Sequence, residues 1–177
     1  VMQEQLAKGL QCLVLVPEIG LTPQTISRFQ KRFSCKVASL HSGLNETERL
    51  TAWKQARDGS AGIVIGTRSA VFTPLANPGL IVIDEEHDSS FKQQDGFRYS
   101  ARDLAVIRAR EENICIILGS ATPSLESLHN ARNKKFVHLQ LTQRAGSKQN
   151  CGMEIIDVAN ETLQEGFSEQ LLFRIRK

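Results

Sequence analysis

Residues 80–87 read LIVIDEEH, four apolar residues running without a turn residue into three carboxylates and a histidine. An aspartate in the place of Asp84, at the end of a strand, can hold a magnesium ion through its water shell, because Mg2+ keeps several waters and takes few protein carboxylates. Glu85 would then stand where it can orient a water for attack on a phosphoryl group. Taken alone, an I-D-E-E segment is more often a strand followed by a solvated acidic turn. The neighbouring segments reverse that preference. GTRSA (66–70) and GSATPS (119–124) leave apolar runs in the same manner, as do PEIGLTPQ (17–24) and HSG (41–43). In an open parallel sheet ligands gather at the carboxyl ends of the strands, so these polar exits predict one long site.

The elements that must carry those exits are short apolar runs alternating with helix-period segments. CLVLV (12–16), VASL (37–40), GIVIG (62–66), LIVID (80–84) and ICIILG (114–119) predict strands, and VHLQL (137–141) a weaker sixth. Runs without polar alternation suit strands covered on both faces. Thr22 before Pro23 and Thr122 before Pro123 each place a hydroxyl cap ahead of a proline whose fixed φ suits the first helical position. Asn45 with Glu48 and Ser100 with Asp103 have capping-box spacing or close to it, and VMQEQLAKG reads as the tail of a helix stopped by Gly9. Strand then helix, repeated, predicts an α/β fold with a mostly parallel sheet and helices on both faces. Residues 143–152 are polar and glycine-bearing, as a linker would be, and divide a unit over 1–142 from a further one over 153–177, where MEIIDV opens as a strand and 168–177 as a helix.

Length and composition fit one ordinary core with the start of a second: 177 residues, 41% hydrophobic. A net charge of +3 and a pI near 8.8 permit nucleic acid as a partner without requiring it. Cys12, Cys35, Cys115 and Cys151 lie far apart, mostly in or beside apolar runs, and are expected to be reduced and buried rather than a zinc site or a disulfide frame. The apolar runs are too short for a membrane span and the N-terminus carries no basic-then-apolar leader, so a cytoplasmic protein is expected.

DSSFKQQDGFRY (88–99) concentrates Phe91, Phe97 and Tyr99 in a chain with only 6% aromatic residues. Lys92, Arg98 and Arg102 interleave with them, and aromatic faces beside cations suit unstacked bases and phosphates. Phe91 is expected to be packed, Phe97 and Tyr99 to lie near nucleic acid, and Gly96 to let the loop fold back. Trp53, three residues after Leu50 on a capped helix, is expected in the core, with Phe29 and Phe33 also packing. His41 is read as a turn residue, and Arg28, Lys31, Arg32 and Lys36 as a solvated basic face.

In this order, PEIGLTPQ, GTRSA, IDEEHDSS and GSATPS resemble motifs Ia, Ib, II and III of DEAD/DEAH-type superfamily 2 helicases; with LHSGL they are most similar to the replication-restart helicases, over residues 16–146. The resemblance implies a RecA-like first motor lobe that binds ATP and Mg2+ against a second lobe and moves 3′→5′ along single-stranded DNA. Forked DNA, the primosome and single-strand-binding proteins are the partners it implies. Asp84 and Glu85 match the Walker B pair, with Asp84 on the metal through water. His87 matches the last letter of the DEAH box, and Ser120 and Thr122 match the motif that communicates hydrolysis between lobes and, with the two acids, contacts the cofactor. Thr67, Arg68 and Ser69 match a segment lying on the DNA backbone, while Lys92, Phe97, Arg98 and Tyr99 match an aromatic-rich loop coupling DNA to the ATP site.

One departure is large. No G-x-x-x-x-G-K-[ST] occurs in the chain, so the backbone cradle and lysine for the β- and γ-phosphates are missing. The chain is expected to begin just downstream of that loop, to lack the strand leading into it, with an interior sheet edge left open, and not to hydrolyse ATP usefully by itself. The zinc-binding cysteines of the full-length relatives are not in this piece either. Two rivals remain: a passive single-stranded DNA-binding module, and a metal-dependent nuclease using Asp84, Glu85, Glu86 and His87.

Overall fold

Five of the apolar runs do pair, and all in parallel. In the computed structural model they are β1 (Gln11–Leu15), β2 (Val37–Leu40), β3 (Ile63–Gly66), β4 (Pro78–Ile83) and, after a short ribbon, β7 (Cys115–Leu118), in the order β2-β3-β1-β4-β7. Residues 1–142, 155–159, 163 and 165–175 are described, in two compact units, Val1–Val137 and His138–Lys177.

The sheet lies wholly in the first unit, and its side-chain period of two sorts each strand onto opposite faces. On one face Leu13, Leu15, Val64, Ile81 and Ile83 pack with Ala52 and Ala56 of α3 (Glu46–Arg57), Ala101, Ala105 and Ala109 of α4 (Ala101–Glu111), and Phe91. On the other, Cys12, Val14, Ile63, Ile65 and Leu80 meet Phe33 and, from α1 (Met2–Ala7) and α2 (Pro23–Arg32), Met2, Leu6, Ile26 and Phe29. Fully burying each Leu, Ile or Val contributes about 1.5–3 kcal/mol, so the unbroken apolar runs are what a sheet covered on both faces requires. β1 and β3 are buried along their whole length.

The expected helix starts at Thr22, Asn45 and Ser100 are present. Thr22 accepts the Thr25 N–H at 3.2 Å, Asn45 and Glu48 form a reciprocal capping box, and Ser100 accepts the Asp103 N–H at 3.3 Å. Gly9 follows α1 at φ 74°, a left-handed position that favours glycine. The Thr122–Pro123 start is not used. α5 runs Leu125–Arg132 with Ser124 as its cap, because the Ser124 N–H is held at 2.6 Å by the Glu86 carboxylate, which fixes the chain two residues later.

Three other expectations are corrected. VHLQL forms no strand: Val137, Leu139 and Leu141 are exposed, and no described strand pairs with that segment, so it has no ladder to join. Cys115 is exposed rather than buried because β7 is an edge strand, whereas Cys12 is fully buried, which pushes its thiol up to about 11. Trp53 is also exposed. Ala52 and Ala56, four apart, take the inward stripe of α3 and leave Trp53 a step round the helix.

The second unit carries α6 (Glu169–Ile175) where a helix was expected; Ser168 is buried before it and accepts the Leu171 N–H at 3.1 Å. Residues 155–158 form no strand, and the proposed linker 143–152 lies outside the described residues. Among the described residues no helix is long and apolar enough to cross a membrane.

Candidate functional site

Beyond their last ladder residues, β4 and β7 remain stitched together. The Gly119 N–H donates to the Ile83 carbonyl at 2.8 Å and the Glu86 N–H to the Gly119 carbonyl at 3.0 Å, so the DEEH turn and the GSATPS turn share one backbone frame. Glu85 adopts φ 48° within it. A non-glycine residue in that region costs about 1–2 kcal/mol, and the surrounding bonds hold it there: Glu85 N–H to Asp84 Oδ1 at 3.1 Å and Asp88 N–H to the Glu85 carbonyl at 2.8 Å. The left-handed residue separates the acids. Asp84 and Glu85 stay exposed, and Glu86 is buried.

His87 joins the two turns. Its Nδ1 is 2.7 Å from Ser120 Oγ and its Nε2 is 3.5 Å from Thr122 Oγ1, with Glu85 Oε2 3.6 Å from Nδ1. Ser120 Oγ also accepts the Thr122 N–H at 3.0 Å, so a rotation of the His87 ring is felt by both residues. The structure therefore brings together all five residues expected around the nucleotide.

Glu86 was singled out in the sequence only as a nuclease ligand, and its place is different. Its Oε1 accepts the Ser124 N–H at 2.6 Å, and its Oε2 accepts from Ser127 Oγ at 2.9 Å, Ser124 Oγ at 3.1 Å and Arg102 Nη1 at 3.3 Å. Desolvation is the largest single influence and pushes its pKa up, but the bonds from Ser124, Ser127 and Arg102 together outweigh it and hold the carboxyl below its ordinary value. Arg102 in turn donates to Asp103 Oδ1 at 3.0 Å and Ser124 Oγ at 2.8 Å. This brace locks the DEEH turn to the starts of α4 and α5. The S-x-x-S spacing of Ser124 and Ser127 was its only trace in the sequence.

The second group gathers around GTRSA. Thr67 is buried at the start of a 3-10 turn, Arg68–Phe72, in which Ser69 is exposed. Arg68 reaches across to the aromatic loop, where its Nη1 donates to the carbonyls of Ser90 at 3.1 Å and Lys92 at 3.2 Å. The loop is closed by a two-residue ribbon, β5 (Lys92–Gln93) against β6 (Tyr99–Ser100). Phe91 is buried as expected. Phe97 is 78% exposed and stacks at a tilt on Tyr99, with ring centroids 6.0 Å apart. Lys92, Arg98 and Tyr99 line an open depression, while Thr67, Arg68, Ser69 and Tyr99 share a separate cavity with Trp53 and Phe72 that sequence reasoning did not foresee. Only Asp88 and Ser89 separate His87 from Ser90, so the two groups abut; Asp88 accepts the Ser90 N–H at 2.7 Å, and its bonds with Ser90 lower its pKa.

For a two-metal nuclease the arrangement offers little. Glu86 has both oxygens occupied, and no three His, Cys, Asp or Glu side chains among the described residues converge as a metal site.

Comparison with known proteins agrees with the motif order. Residues 1–131 match the DEAD/DEAH box helicase model. Replication restart protein PriA of Haemophilus influenzae is 53% identical over 174 residues, 98% of this chain and 24% of the relative. The PriA of Synechocystis sp. is 52% identical over 166 residues (91% and 20%), and that of Bacillus subtilis 40% over 179 (99% and 22%). The chain thus spans between a fifth and a quarter of these relatives. Among solved structures, the C-terminal domain of S. cerevisiae Dbp5 has a TM-score of 0.50 at 13% identity, covering 78% of each chain, a likeness of fold. With the family model matched across the whole five-stranded sheet and both polar turns, the chain belongs to the DEAD/DEAH box helicase family.

Proposed function

We propose that this chain is the larger part of a RecA-like motor lobe over residues 1–142, joined by a linker at 143–152 to the start of a second lobe, in a cytoplasmic DNA helicase that serves replication restart. ATP with Mg2+ supplies the phosphoanhydride whose hydrolysis drives 3′→5′ movement on single-stranded or forked DNA, with primosome and single-strand-binding proteins as partners in the parent protein. The observation that carries this reading is the 2.7 Å contact between His87 and Ser120, which ties the exposed acids to the neighbouring strand exit. Asp84 has one carboxylate oxygen engaged by the Glu85 N–H and an exposed side chain, a donor that suits a cation keeping most of its waters. Glu85 orients the attacking water, and His87 passes a change at Glu85 to Ser120 and Thr122. Thr67, Arg68 and Ser69 face the DNA backbone, and Lys92, Phe97, Arg98 and Tyr99 its phosphates and bases.

The absent G-x-x-x-x-G-K-[ST] makes two halves of this reading separately testable. By calorimetry with magnesium present, the 177-residue chain is expected to show no micromolar ATP binding, because the phosphate cradle supplies most of the triphosphate affinity. Labelled single-stranded DNA is expected to bind with an affinity that falls as salt rises, through counterion release. Replacing Phe97 and Tyr99 by alanine should weaken it, each stacked base being worth about 1–3 kcal/mol. Salt-independent binding, or cleavage of the strand with Mn2+ alone, would sink the motor reading.

A further inference from the structure

We infer that the cavity between α3 and the turn Arg68–Phe72 is a pocket for one unstacked nucleobase of single-stranded DNA, with Trp53 as its stacking face. The inference rests on the DNA-binding reading above and goes beyond it, since the motifs account only for contacts with the DNA backbone and the aromatic loop. The cavity holds about 400 Å3 and lies within the range of ordinary small-ligand sites. None of Asp84–His87 or 119–124 lines it, so it is distinct from the DEEH turn.

Three aromatic rings contribute to the wall. Trp53 is 36% exposed, and the Arg57 guanidinium, from outside the cavity, sits 5.0 Å from its ring centroid and fixes its orientation. Phe72 is 56% exposed and meets Tyr99 edge to face at 5.0 Å. Large rings left this open are unusual for a core and usual for a surface that receives another flat ring.

The polar groups favour a base over a phosphate. Glu18, whose Oε1 accepts from Ser42 Oγ at 3.1 Å, presents a carboxylate that repels phosphate and accepts from the exocyclic amines of bases. Arg49 also lines the cavity, and its guanidinium has no hydrogen bond or ion pair among the described residues, which leaves its donors for ring nitrogens and carbonyls. An acceptor and a donor in one aromatic cavity match the mixed edge of a nucleobase. Exposed Lys92 and Arg98 on the adjoining loop are free to take the flanking phosphates. An apolar side chain of a protein partner would fill the rings but leave Glu18 and Arg49 unused.

Trp53 is the only tryptophan in the chain, so intrinsic fluorescence reports this cavity alone. The test titrates the chain with an end-labelled thymidine oligonucleotide and with an abasic one of equal length, following label anisotropy and tryptophan emission together. Both are expected to bind, and only the base-bearing strand should quench Trp53 strongly and saturably. Trp53→Ala should weaken the base-bearing strand about 5- to 150-fold and leave the abasic strand unchanged, with Trp53→Phe restoring most of the loss. Equal quenching by both strands overturns the pocket, as does an equal loss or no loss of affinity in Trp53→Ala. If neither strand binds, the DNA-binding reading fails and the pocket falls with it. Should Trp53→Ala unfold, as circular dichroism would reveal, the two quenching curves on the unaltered chain still decide.

Discussion

Glu86→Ala is expected to lower the folding stability of the chain by about 3–5 kcal/mol, a large share of the roughly 5–15 kcal/mol available to a domain of this kind. The carboxylate is 3% exposed and is the common acceptor for the Ser124 N–H, the Ser127 hydroxyl and the Arg102 guanidinium. Removing it leaves the half-buried Ser124 N–H and the buried Arg102 guanidinium short of partners, and the desolvation of the cation above all then goes uncompensated. Arg102 keeps Asp103 at 3.0 Å, which places the loss at the lower end of that range. Urea unfolding at neutral pH should show the midpoint falling by about 1–3 M.

Glu86→Gln separates charge from hydrogen bonding. The folded carboxyl lies below its ordinary pKa, so it contributes stability that is fully present above the unfolded value and is lost as pH falls through the folded one. Asp88 is lowered too and adds acid sensitivity of the same sign. The difference between the unaltered chain and Glu86→Gln, followed from neutral pH down through the carboxylate range, isolates Glu86. That difference should shrink on acidification, and a constant difference would mean that the carboxylate is not held ionised by this brace.

The sheet was legible because its evidence is local. Unbroken apolar runs such as CLVLV and GIVIG carry the signal for strands covered on both faces within themselves, and side-chain caps such as Asn45 with Glu48 need only residues three apart. The failures came where a distant group decides. Ser124 caps α5 because Glu86, 38 residues earlier, holds its N–H, and nothing near Thr122 announces that. VHLQL has strand composition but no strand among the described residues to pair with, and β propensity without a ladder yields exposed coil.

The site divides in the same way. Asp84, Glu85, His87, Ser120 and Thr122 meet because parallel topology forces neighbouring strand exits together, and β4 pairs directly with β7. Arg68 also ties its turn to the aromatic loop through the carbonyls of Ser90 and Lys92, a long-range partnership with no periodic signature in the sequence. Trp53 was assigned to the core on helical spacing from Leu50, but Ala52 and Ala56 hold the inward stripe and Leu50 is itself 51% exposed. Small residues marked the buried face of this helix, so hydrophobic size was the misleading cue.

Gly66→Ala is the second large effect expected. A Cβ at this position would lie 2.5 Å from the Ala70 Cβ and 2.6 Å from the Leu40 carbonyl oxygen, and neither is the movable end of a flexible side chain. The Thr67 N–H donates to that same carbonyl at 3.1 Å, so β2 and the turn must separate or the turn must rotate. Overpacking of a rigid core costs about 1–3 kcal/mol, and two collisions with fixed atoms place this substitution near the upper value. Gly20→Ala is the matched control, because its nearest neighbour would be 3.6 Å away, ordinary contact, and little change is expected. Turn rotation would also displace Arg68 from the aromatic loop and Phe72 from Tyr99, so Gly66→Ala should lose DNA-dependent quenching of Trp53 even at temperatures where it remains folded. Thermal melts and the quenching titration on the two glycine variants test this together. A Gly66→Ala chain that melts with the control and quenches normally would show that the close approach of β2 to the turn does not position these residues.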